Sequence, residues 1–229
     1  MNNKTMIKKA LKMTLPVLTG YMVLGMGFGI LALSSGFAPI VPILMSVFIY
    51  AGSMQFAAVG LLTGGVSLIG AALTTLMVNA RHIFYGISMI DKYRGTGKFK
   101  PYLVFSLTDE TYSLLCMENT EIKKEEKGKF FFFVSLFNQL YWVTGTALGA
   151  LLGSVIKFNT EGIDFSLTAL FVTIFLEQWL GTKKHVPALI GILVSVLCLV
   201  IFGSDGFLIP SMLIIALILC MYREEKKND

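Results

Sequence analysis

The chain has 229 residues, of which 55% are hydrophobic and 14% charged, and its mean hydropathy is +0.74. Soluble domains usually carry about a quarter charged residues, so a soluble fold would leave far more apolar surface in water than such domains do. The net charge of +5 comes from Lys and Arg clusters beside apolar runs, which is typical of membrane topology and argues against nucleic-acid binding.

The first apolar run follows four lysines, Lys4, Lys8, Lys9 and Lys12. It is about twenty residues long, which exceeds the core of a signal peptide, and no A-x-A cleavage site follows it. We therefore predict a retained first membrane helix whose N-terminus is cytoplasmic.

Eight apolar segments come near the length of about twenty residues with which a helix crosses about 30 Å of hydrocarbon. They comprise residues 15–35, 39–62, 66–90, 101–117, 130–153, 165–181, 186–202 and 206–222. The fourth is the least apolar because Asp109 and Glu110 lie at its centre. No Ser/Pro-rich linker separates the segments, so the sequence predicts an all-α, polytopic membrane protein with a single integral membrane domain over residues 1–229.

The distribution of Lys and Arg favours one of two threadings, because short cytoplasmic loops collect basic residues. If all eight segments span, the basic loop 91–100 lies outside the cell. If segments 39–62 and 101–117 are re-entrant, every Lys and Arg except Arg81 and Lys157 becomes cytoplasmic. The sequence thus predicts six to eight membrane segments in the cell membrane, and the basic residues favour six spans with both termini in the cytoplasm.

The second segment contains a candidate helix break at Ala51-Gly52-Ser53, which divides it into halves too short to span. Non-helical backbone inside a membrane is tolerated where it faces protein or water. A helix starting there, close to Gln55, would favour an anion such as a carboxylate. The alternative is that Gly52 lets another helix pack closely.

A faint internal repeat relates residues 17–90 to residues 143–206, and each begins with a Gly-rich helix. The stretch GYMVLGMGFGILA in the first corresponds to YWVTGTALGALLG in the second. Transporters are often built from such repeats. Gly-rich helices also resemble one another by composition, so both explanations stay open.

Five ionisable side chains lie inside apolar segments, where each costs about 2.5 to 3.5 kcal/mol even on the mildest scale. They are Arg81, His82, Asp109, Glu110 and Glu177. Glu177 lies near Lys183 and Lys184, so we expect an interfacial ion pair there. The other four are candidate functional residues.

Arg81 belongs to a polar stripe that a continuous third helix would carry together with Asn79, His82 and Tyr85. Its guanidinium stays charged and suits a substrate carboxylate. The alternative is that it neutralises a buried acid. His82 titrates near neutrality and is a candidate for a coupled proton, with a hydrogen-bonded packing role as the alternative.

Asp109 and Glu110 are adjacent and point about 100° apart on a helix, so we expect them to have different partners. One would pair with Arg81, and the other would receive a substrate ammonium or a coupled proton. Trp142, with Asn138, Gln139 and Tyr141, forms a polar and aromatic patch that is either a substrate contact or part of an interfacial belt.

Three stretches of the sequence resemble the AzlC family, the large subunit of two-component branched-chain amino acid exporters. They are residues 51–56 (AGSMQF), 79–86 (NARHIFYG) and 107–110 (LTDE). The resemblance extends over nearly the whole chain, and the second stretch is the most specific. Met54 stands where we expect a small residue in many relatives, so the shape of the pocket is expected to differ.

The resemblance implies proton-driven export of leucine, isoleucine, valine or similar amino acids, together with a small AzlD-like membrane subunit. Separately, we expect no cofactor and no metal. The candidate substrate-binding residues are Gly52, Ser53, Gln55, Asn79, Arg81, Tyr85, Asp109, Glu110 and Trp142. The candidate proton-coupling residues are His82, Asp109 and Glu110. An apolar wall for the substrate side chain would come from Met54, Phe56, Phe84 and Trp142.

Other functions remain as alternatives at this stage. The same residues suit a carrier of another small metabolite, or a subunit with a purely structural role. An intramembrane enzyme is less favoured, because the sequence has no GxSxG or HExxH motif. The cysteines Cys116, Cys198 and Cys220 form no CxxC or Cys/His spacing, which argues against a disulfide framework or a zinc site.

Overall fold

The computed structural model describes residues 3–116, 122, 126–155, 172, 175, 176, 179, 180 and 185–228 of the chain. They fall into two compact units, Met1–Thr168 and Ala169–Asp229, each of which is described by itself. Regular structure within the described residues is helical, as the all-α prediction requires. The single domain over residues 1–229 stays a prediction.

Three of the predicted segments of the first unit are each divided into two short helices. The helices are α1 (Asn3–Ser34), α2 (Ile40–Phe48), α3 (Gly52–Thr63), α4 (Leu68–Asn79), α5 (Arg81–Met89), α6 (Lys100–Phe105), α7 (Asp109–Cys116) and α8 (Lys127–Val155), with a 3₁₀ turn at Gly97–Phe99 before α6. The helices α2 to α7 reach at most about 18 Å at 1.5 Å per residue. None of them crosses about 30 Å of hydrocarbon alone.

The second unit contains two helices at the positions of the last two predicted segments. They are α9 (Val186–Gly206) and α10 (Leu208–Asn228), and α9 is interrupted at Gly203, whose φ of 72° suits glycine. Among the described residues, Asn3–Ser34 and Val186–Gly203 are the helices long and apolar enough to cross a membrane unaided. The predicted segment 165–181 lies mostly outside the described residues.

The helices α1 and α8 run in the same direction and form the frame of the first unit. Near their starts, Lys129 Nζ donates to Asn3 Oδ1 at 2.7 Å, and further along the Thr14 and Tyr141 hydroxyls lie 3.0 Å apart. We call the end at which both helices begin the basic end, because Lys4, Lys8, Lys9, Lys12, Lys127 and Lys129 lie there. The opposite end, at which they finish, is the distal end.

The contact between α1 and α8 is made by glycines on both helices. A Cβ placed on Gly25 would lie 2.9 Å from the Trp142 carbonyl oxygen, and one on Gly145 would lie 2.8 Å from that of Met22. The two backbones therefore touch, as in other membrane helix pairs that carry small residues. The two Gly-rich stretches compared above are thus the two sides of one contact. The repeat itself stays a prediction, since much of its second copy lies outside the described residues.

The helices α2 and α3 form a hairpin that enters from the distal end. Gln55 Nε2 donates to Ser46 Oγ at 3.0 Å, which shows that the chain folds back on itself between them. The turn reaches α8 near Gln139, whose Nε2 donates to the Val47 carbonyl oxygen at 3.0 Å. At its tip, Tyr50 has a φ of 46°, in the left-handed region. The predicted break of this segment is confirmed, and it lies one to two residues before Gly52.

The helices α6 and α7 form a second hairpin, which enters from the basic end. The ring of Phe99, just before α6, lies 5.3 Å from that of Phe132 near the start of α8. The turn at residues 106–108 reaches Tyr21 of α1, whose hydroxyl lies 2.8 Å from Thr108 Oγ1. The C-terminus of α7 then returns to the basic end, where Lys92 Nζ donates to the Leu115 carbonyl oxygen.

The basic loop 91–100 lies at the same end of the unit as the start of α1. Tyr93 packs with Phe131, and Thr96 lies so close to Gly128 that a Cβ there would come within 2.9 Å of the Thr96 carbonyl oxygen. An apolar cluster joins the loop to the starts of α1 and α8. The six-span threading requires this placement, whereas eight spans would put the loop at the opposite end.

Candidate functional site

Three helix starts meet around the Arg81 side chain. Arg81, the first residue of α5, places Nη1 2.8 Å from Oδ2 of Asp109, the first residue of α7. Its Nη2 donates to Ser53 Oγ at 2.5 Å, in the first turn of α3. The Arg81 and Asp109 side chains are 23% and 19% exposed, so the pair is shielded but reachable. One guanidinium therefore connects the tips of both hairpins.

The backbone before Arg81 differs from the continuous helix that the polar stripe assumes. The helix α4 ends at Asn79, and the Ile83 N–H donates to the Ala80 carbonyl oxygen only three residues back. The His82 Nδ1 lies 3.2 Å from the Asn79 carbonyl oxygen. Such 3₁₀-type turns inside a helix often mark functional hinges. Because Ala80 keeps αR dihedrals, the chain bends at this position and the polar residues of the stripe still lie next to one another.

Glu110 has a different set of partners from Asp109. Its Oε2 accepts a hydrogen bond from the Tyr21 hydroxyl of α1 at 2.6 Å. Among the described residues, no Lys, Arg or His lies within ion-pair distance of it. The expected pairing of Arg81 with one of the two acids is therefore found, and the partner is Asp109.

The starts of α3 and α7 differ in charge. A helix start carries backbone N–H groups without helical partners and the positive end of the helix dipole. The first turn of α7 contains Asp109 and Glu110, which offset that charge, whereas α3 has no acidic residue in its first turn. The start of α3, beside Arg81, is therefore the more favourable position for a carboxylate.

Gln55 joins both arms of the α2–α3 hairpin to α8. Its side chain is 0% exposed, and it donates to Ser46 while its Oε1 accepts from Trp142 Nε1 at 2.9 Å. The Ser46 hydroxyl lies 2.8 Å from that of Thr146. Substrate binding by Gln55 stays a prediction, and the structure shows its side chain in a buried hydrogen-bond network with Ser46 and Trp142.

Gly52 permits the close approach of the Trp142 ring. A Cβ at Gly52 would lie 3.1 Å from Trp142 Cη2. The indole has little room to retreat, because it packs edge-on against Tyr21 at 5.5 Å and stacks on Phe28 at 6.5 Å. Both interpretations of Gly52 therefore hold: it begins a helix after a break, and it allows close packing.

Tyr85 and Asn79 lie on either side of the Arg81 turn. The Tyr85 ring stacks on Tyr112 of α7 at 4.6 Å, which places Tyr85 beside Asp109. The Oδ1 atoms of Asn79 and Asp109 are buried and accept no hydrogen bond from any described residue. These two oxygens are available acceptors next to the charged pair.

The family model described as AzlC protein matches residues 16–156 of the chain. The chain belongs to the AzlC family. It is 49% identical to the "Branched-chain amino acid transport protein AzlC" of Bacillus subtilis, over 98% of this chain and 89% of that protein. An "Uncharacterized membrane protein" of Helicobacter pylori is 39% identical over 95% of each chain, and the "Inner membrane protein YgaZ" of Escherichia coli is 30% identical over 81% and 79%. No solved structure matches the chain.

The matched AzlC region spans both hairpins and the glycine contact between α1 and α8. It also contains the polar patch on α8, whose members have hydrogen-bond partners inside the first unit. Asn138 Nδ2 donates to Thr111 Oγ1 at 2.9 Å, and Gln139 Oε1 accepts from the Tyr102 hydroxyl at 2.7 Å. In this AzlC-family chain the patch therefore connects α8 to both hairpins.

Of the predicted apolar wall, Met54, Phe56 and Trp142 are buried, and Phe84 is partly exposed. The Phe56 ring packs against Phe28 of α1 at 5.5 Å. Glu177, with its expected interfacial pair, lies outside the described residues.

Two contributors to the site were missed in the sequence, Tyr21 and Thr108. Tyr21 stands in the first Gly-rich stretch, where it was treated only as part of the repeat. Its polar hydroxyl inside an apolar helix was the available signal. Thr108 precedes the acid pair, and its role depends on the turn that brings it to α1.

Proposed function

We propose that this AzlC-family chain exports branched-chain or similar apolar amino acids across the cell membrane, driven by protons, as the large subunit of a two-component permease. The observation that supports this most is the position of Arg81 between Ser53 and Asp109, where the tips of two opposed hairpins meet. Opposed broken helices are a common setting for substrate sites in transporters.

The carboxylate of the amino acid binds at Arg81 and the start of α3. Arg81 offers several N–H donors in a planar fork, which suits a carboxylate. The backbone N–H groups at Gly52 and Ser53 add donors and the positive end of the α3 dipole. The Arg81–Ser53 hydrogen bond then opens to admit the substrate.

The ammonium group binds at Asp109, whose Oδ1 is an unused acceptor beside the Arg81 pair. Asn79 and Tyr85 border the same position. The coupled proton is carried by one of His82, Asp109 and Glu110, all of which lie at or next to the two turns. The zwitterionic core of an amino acid thus finds both of its charges matched.

The substrate side chain and the partner rest on the relatives rather than on contacts. The name of the Bacillus subtilis relative, a branched-chain amino acid transport protein, supports branched-chain amino acids as substrates. The family resemblance supports a small AzlD-like subunit. A carrier of another small metabolite is the second candidate. Phe56 and Trp142 pack into the protein interior, so the contacts for a substrate side chain are less clearly defined than those for its charged groups.

The function is tested by measuring efflux from cells that lack other amino acid exporters and express the chain with its genomic neighbour. The cells are loaded with a panel of amino acids. Faster loss of leucine, isoleucine and valine than of charged amino acids is expected. If cells that express the chain lost these amino acids no faster than cells with the empty vector, transport would be refuted. Efflux of other solutes alone would favour a carrier of another small metabolite.

The six-span topology, with both termini cytoplasmic, is part of the same proposal. Its test is a Lys98→Cys variant, made in a background without the native cysteines and treated with a membrane-impermeant maleimide. Labelling is expected only after the cytoplasmic side is opened to the reagent. Labelling of intact cells would contradict the threading.

A further inference from the structure

The two adjacent acids differ in how their surroundings tolerate a change of protonation. Asp109 faces the permanently charged Arg81 at 2.8 Å, so the pair gains a charge-assisted hydrogen bond from the carboxylate form. Glu110 is partly buried, and its carboxylate accepts a hydrogen bond from a neutral hydroxyl, that of Tyr21. Protonation of Asp109 would break a pair, whereas protonation of Glu110 breaks none among the described residues.

The Tyr21 hydroxyl has two acceptors and one hydrogen. Glu110 Oε2 lies 2.6 Å from it and Thr108 Oγ1 lies 2.8 Å from it. A phenolic O–H donates one hydrogen bond and can also accept. When Glu110 is ionised, Tyr21 donates to Glu110. When Glu110 is protonated, its O–H donates to Tyr21, and the Tyr21 hydrogen turns to Thr108.

Thr108 completes this arrangement. Its hydroxyl lies 3.0 Å from Thr111 Oγ1, to which it donates, and its lone pairs face Tyr21. Thr111 Oγ1 in turn accepts from Asn138 of α8. Both states of Glu110 are therefore hydrogen-bonded by the same heavy atoms, which removes the usual cost of an unsatisfied buried group.

From this geometry we infer that Glu110 carries the coupled proton and that Tyr21 is the positioning residue that serves both of its protonation states. The inference rests on the proposed transport function and deepens it. The proton binds the Glu110 carboxylate and leaves from it, while Tyr21 keeps its own hydrogen and only reorients it. Asp109 remains paired with Arg81 and with the substrate ammonium.

The titratable and charged groups around Glu110 come from several elements. They are Tyr21 of α1, Tyr50 at the α2–α3 tip, Arg81 and Tyr85 of α5, and Asp109 of α7. The helix α8 contributes the neutral Asn138, through Thr111. Since Arg81 and Asp109 form a pair of zero net charge, Glu110 is the acid at this tip that forms no ion pair within the part of the chain that the structure describes.

The test compares exchange with proton-driven transport in inside-out vesicles from cells that express the full chain with its genomic neighbour. Exchange is the entry of labelled leucine into vesicles preloaded with leucine, without a pH gradient. Driven transport is labelled leucine uptake under an imposed gradient. For Glu110→Gln we expect exchange at a third or more of the wild-type rate and a tenfold or greater loss of driven uptake. Asp109→Asn should lose both.

Driven uptake by Glu110→Gln at the wild-type level would overturn the inference, and so would a loss of exchange equal to that of Asp109→Asn. A wild-type chain that does not exchange any amino acid would instead refute the transport function itself. Tyr21→Phe gives a second readout that holds even if Glu110→Gln does not reach the membrane. Loss of the donor to the ionised carboxylate should shift the midpoint of the pH profile of driven uptake upward by about one unit, and an unshifted profile would overturn the role of Tyr21.

Discussion

The two hairpins are both pairs of short helices, but they differ in the charge of their tips. The α2–α3 hairpin presents a neutral tip at Gly52 and Ser53, and Gln55 fixes its two arms to α8. The α6–α7 hairpin presents two acids at its tip. The Tyr21 hydroxyl of α1 donates to Glu110, and the Asn138 amide of α8 donates to Thr111 in the first turn of α7. A zwitterion needs one site of each kind, so two hairpins with different tips separate tasks that one tip would combine poorly.

The largest effect is expected from removing the cation that joins the two tips. Arg81→Ala leaves Asp109 half-buried and unpaired, and loss of one member of such a pair costs about 2–5 kcal/mol. Efflux should fall about a hundredfold, to the level of the vector control. Arg94→Ala is the matched control, because Arg94 and Asp91 are 79% and 87% exposed. Normal efflux by Arg81→Ala, with the protein present in the membrane, would refute the site.

A somewhat smaller effect is expected from neutralising the acid tip alone. Asp109→Asn keeps the size of the side chain and its hydrogen bond to Arg81 but removes the charge opposite the substrate ammonium. We expect a tenfold or greater loss of efflux, consistent with about 1.5–3 kcal/mol for hydrogen bonds to charged groups. The control is Asp91→Asn in the basic loop. Efflux rates that do not differ between the two variants would argue against Asp109.

A third test concerns Gln55, which attaches the neutral α2–α3 hairpin to α8. Gln55→Leu leaves the Trp142 N–H and the Ser46 hydroxyl with one partner fewer, at about 1–3 kcal/mol for each buried group left unsatisfied. The thermal unfolding temperature of the purified protein in detergent should fall by several degrees. Thr63→Val, on the same helix, should leave it unchanged, because that hydroxyl bonds only to carbonyl groups of its own helix. An unchanged unfolding temperature of the Gln55→Leu protein would show that the hydrogen-bond network does not contribute to stability.

The smallest effect is expected at the base of the acidic hairpin. Lys92 donates to the last carbonyl groups of α7, at Leu115 and Cys116, where a cation favours the negative end of the helix dipole by about 0.3–1 kcal/mol. Lys92→Ala should therefore raise the rate of maleimide labelling at Cys116 by about two- to fivefold. Lys98→Ala serves as the control. An unchanged labelling rate would show that the end of α7 is held by its apolar contacts alone.

Parts of this arrangement follow from sequence and parts do not. The break before Gly52 was predictable because Ala-Gly-Ser interrupts an apolar run, and the pairing of Arg81 was predictable because only an acid compensates a cation at that depth. The choice of Asp109 over Glu110 as the partner of Arg81 was not predictable. Once the backbone turns at residues 106–108, helical periodicity no longer indicates which way the side chains that follow point. The interruption at Ala80 lacks Gly or Pro and has no sequence signal.

The placement of Tyr21 illustrates the same limit. Its partner is 89 positions away, and the contact depends on how far a re-entrant turn reaches along α1. No local pattern encodes that depth. Gln55 shows a further limit: its position beside a predicted break suggests a substrate contact, but the sequence does not indicate that its side chain bonds an indole N–H and a serine hydroxyl.

The glycine contact between α1 and α8 has a mechanical consequence. Where Gly25, Gly29, Gly145 and Gly149 bring the two backbones into contact, no side chains lie between them to slide or change rotamer, so we expect α1 and α8 to move together as one rigid pair. Hydrogen bonds of Gln55, Tyr21 and Asn138 connect the hairpins to this helix pair, and these hydrogen bonds can exchange partners. In the proposed transport cycle, we therefore expect the hairpin tips to move between inward and outward access while α1 and α8 keep their contact.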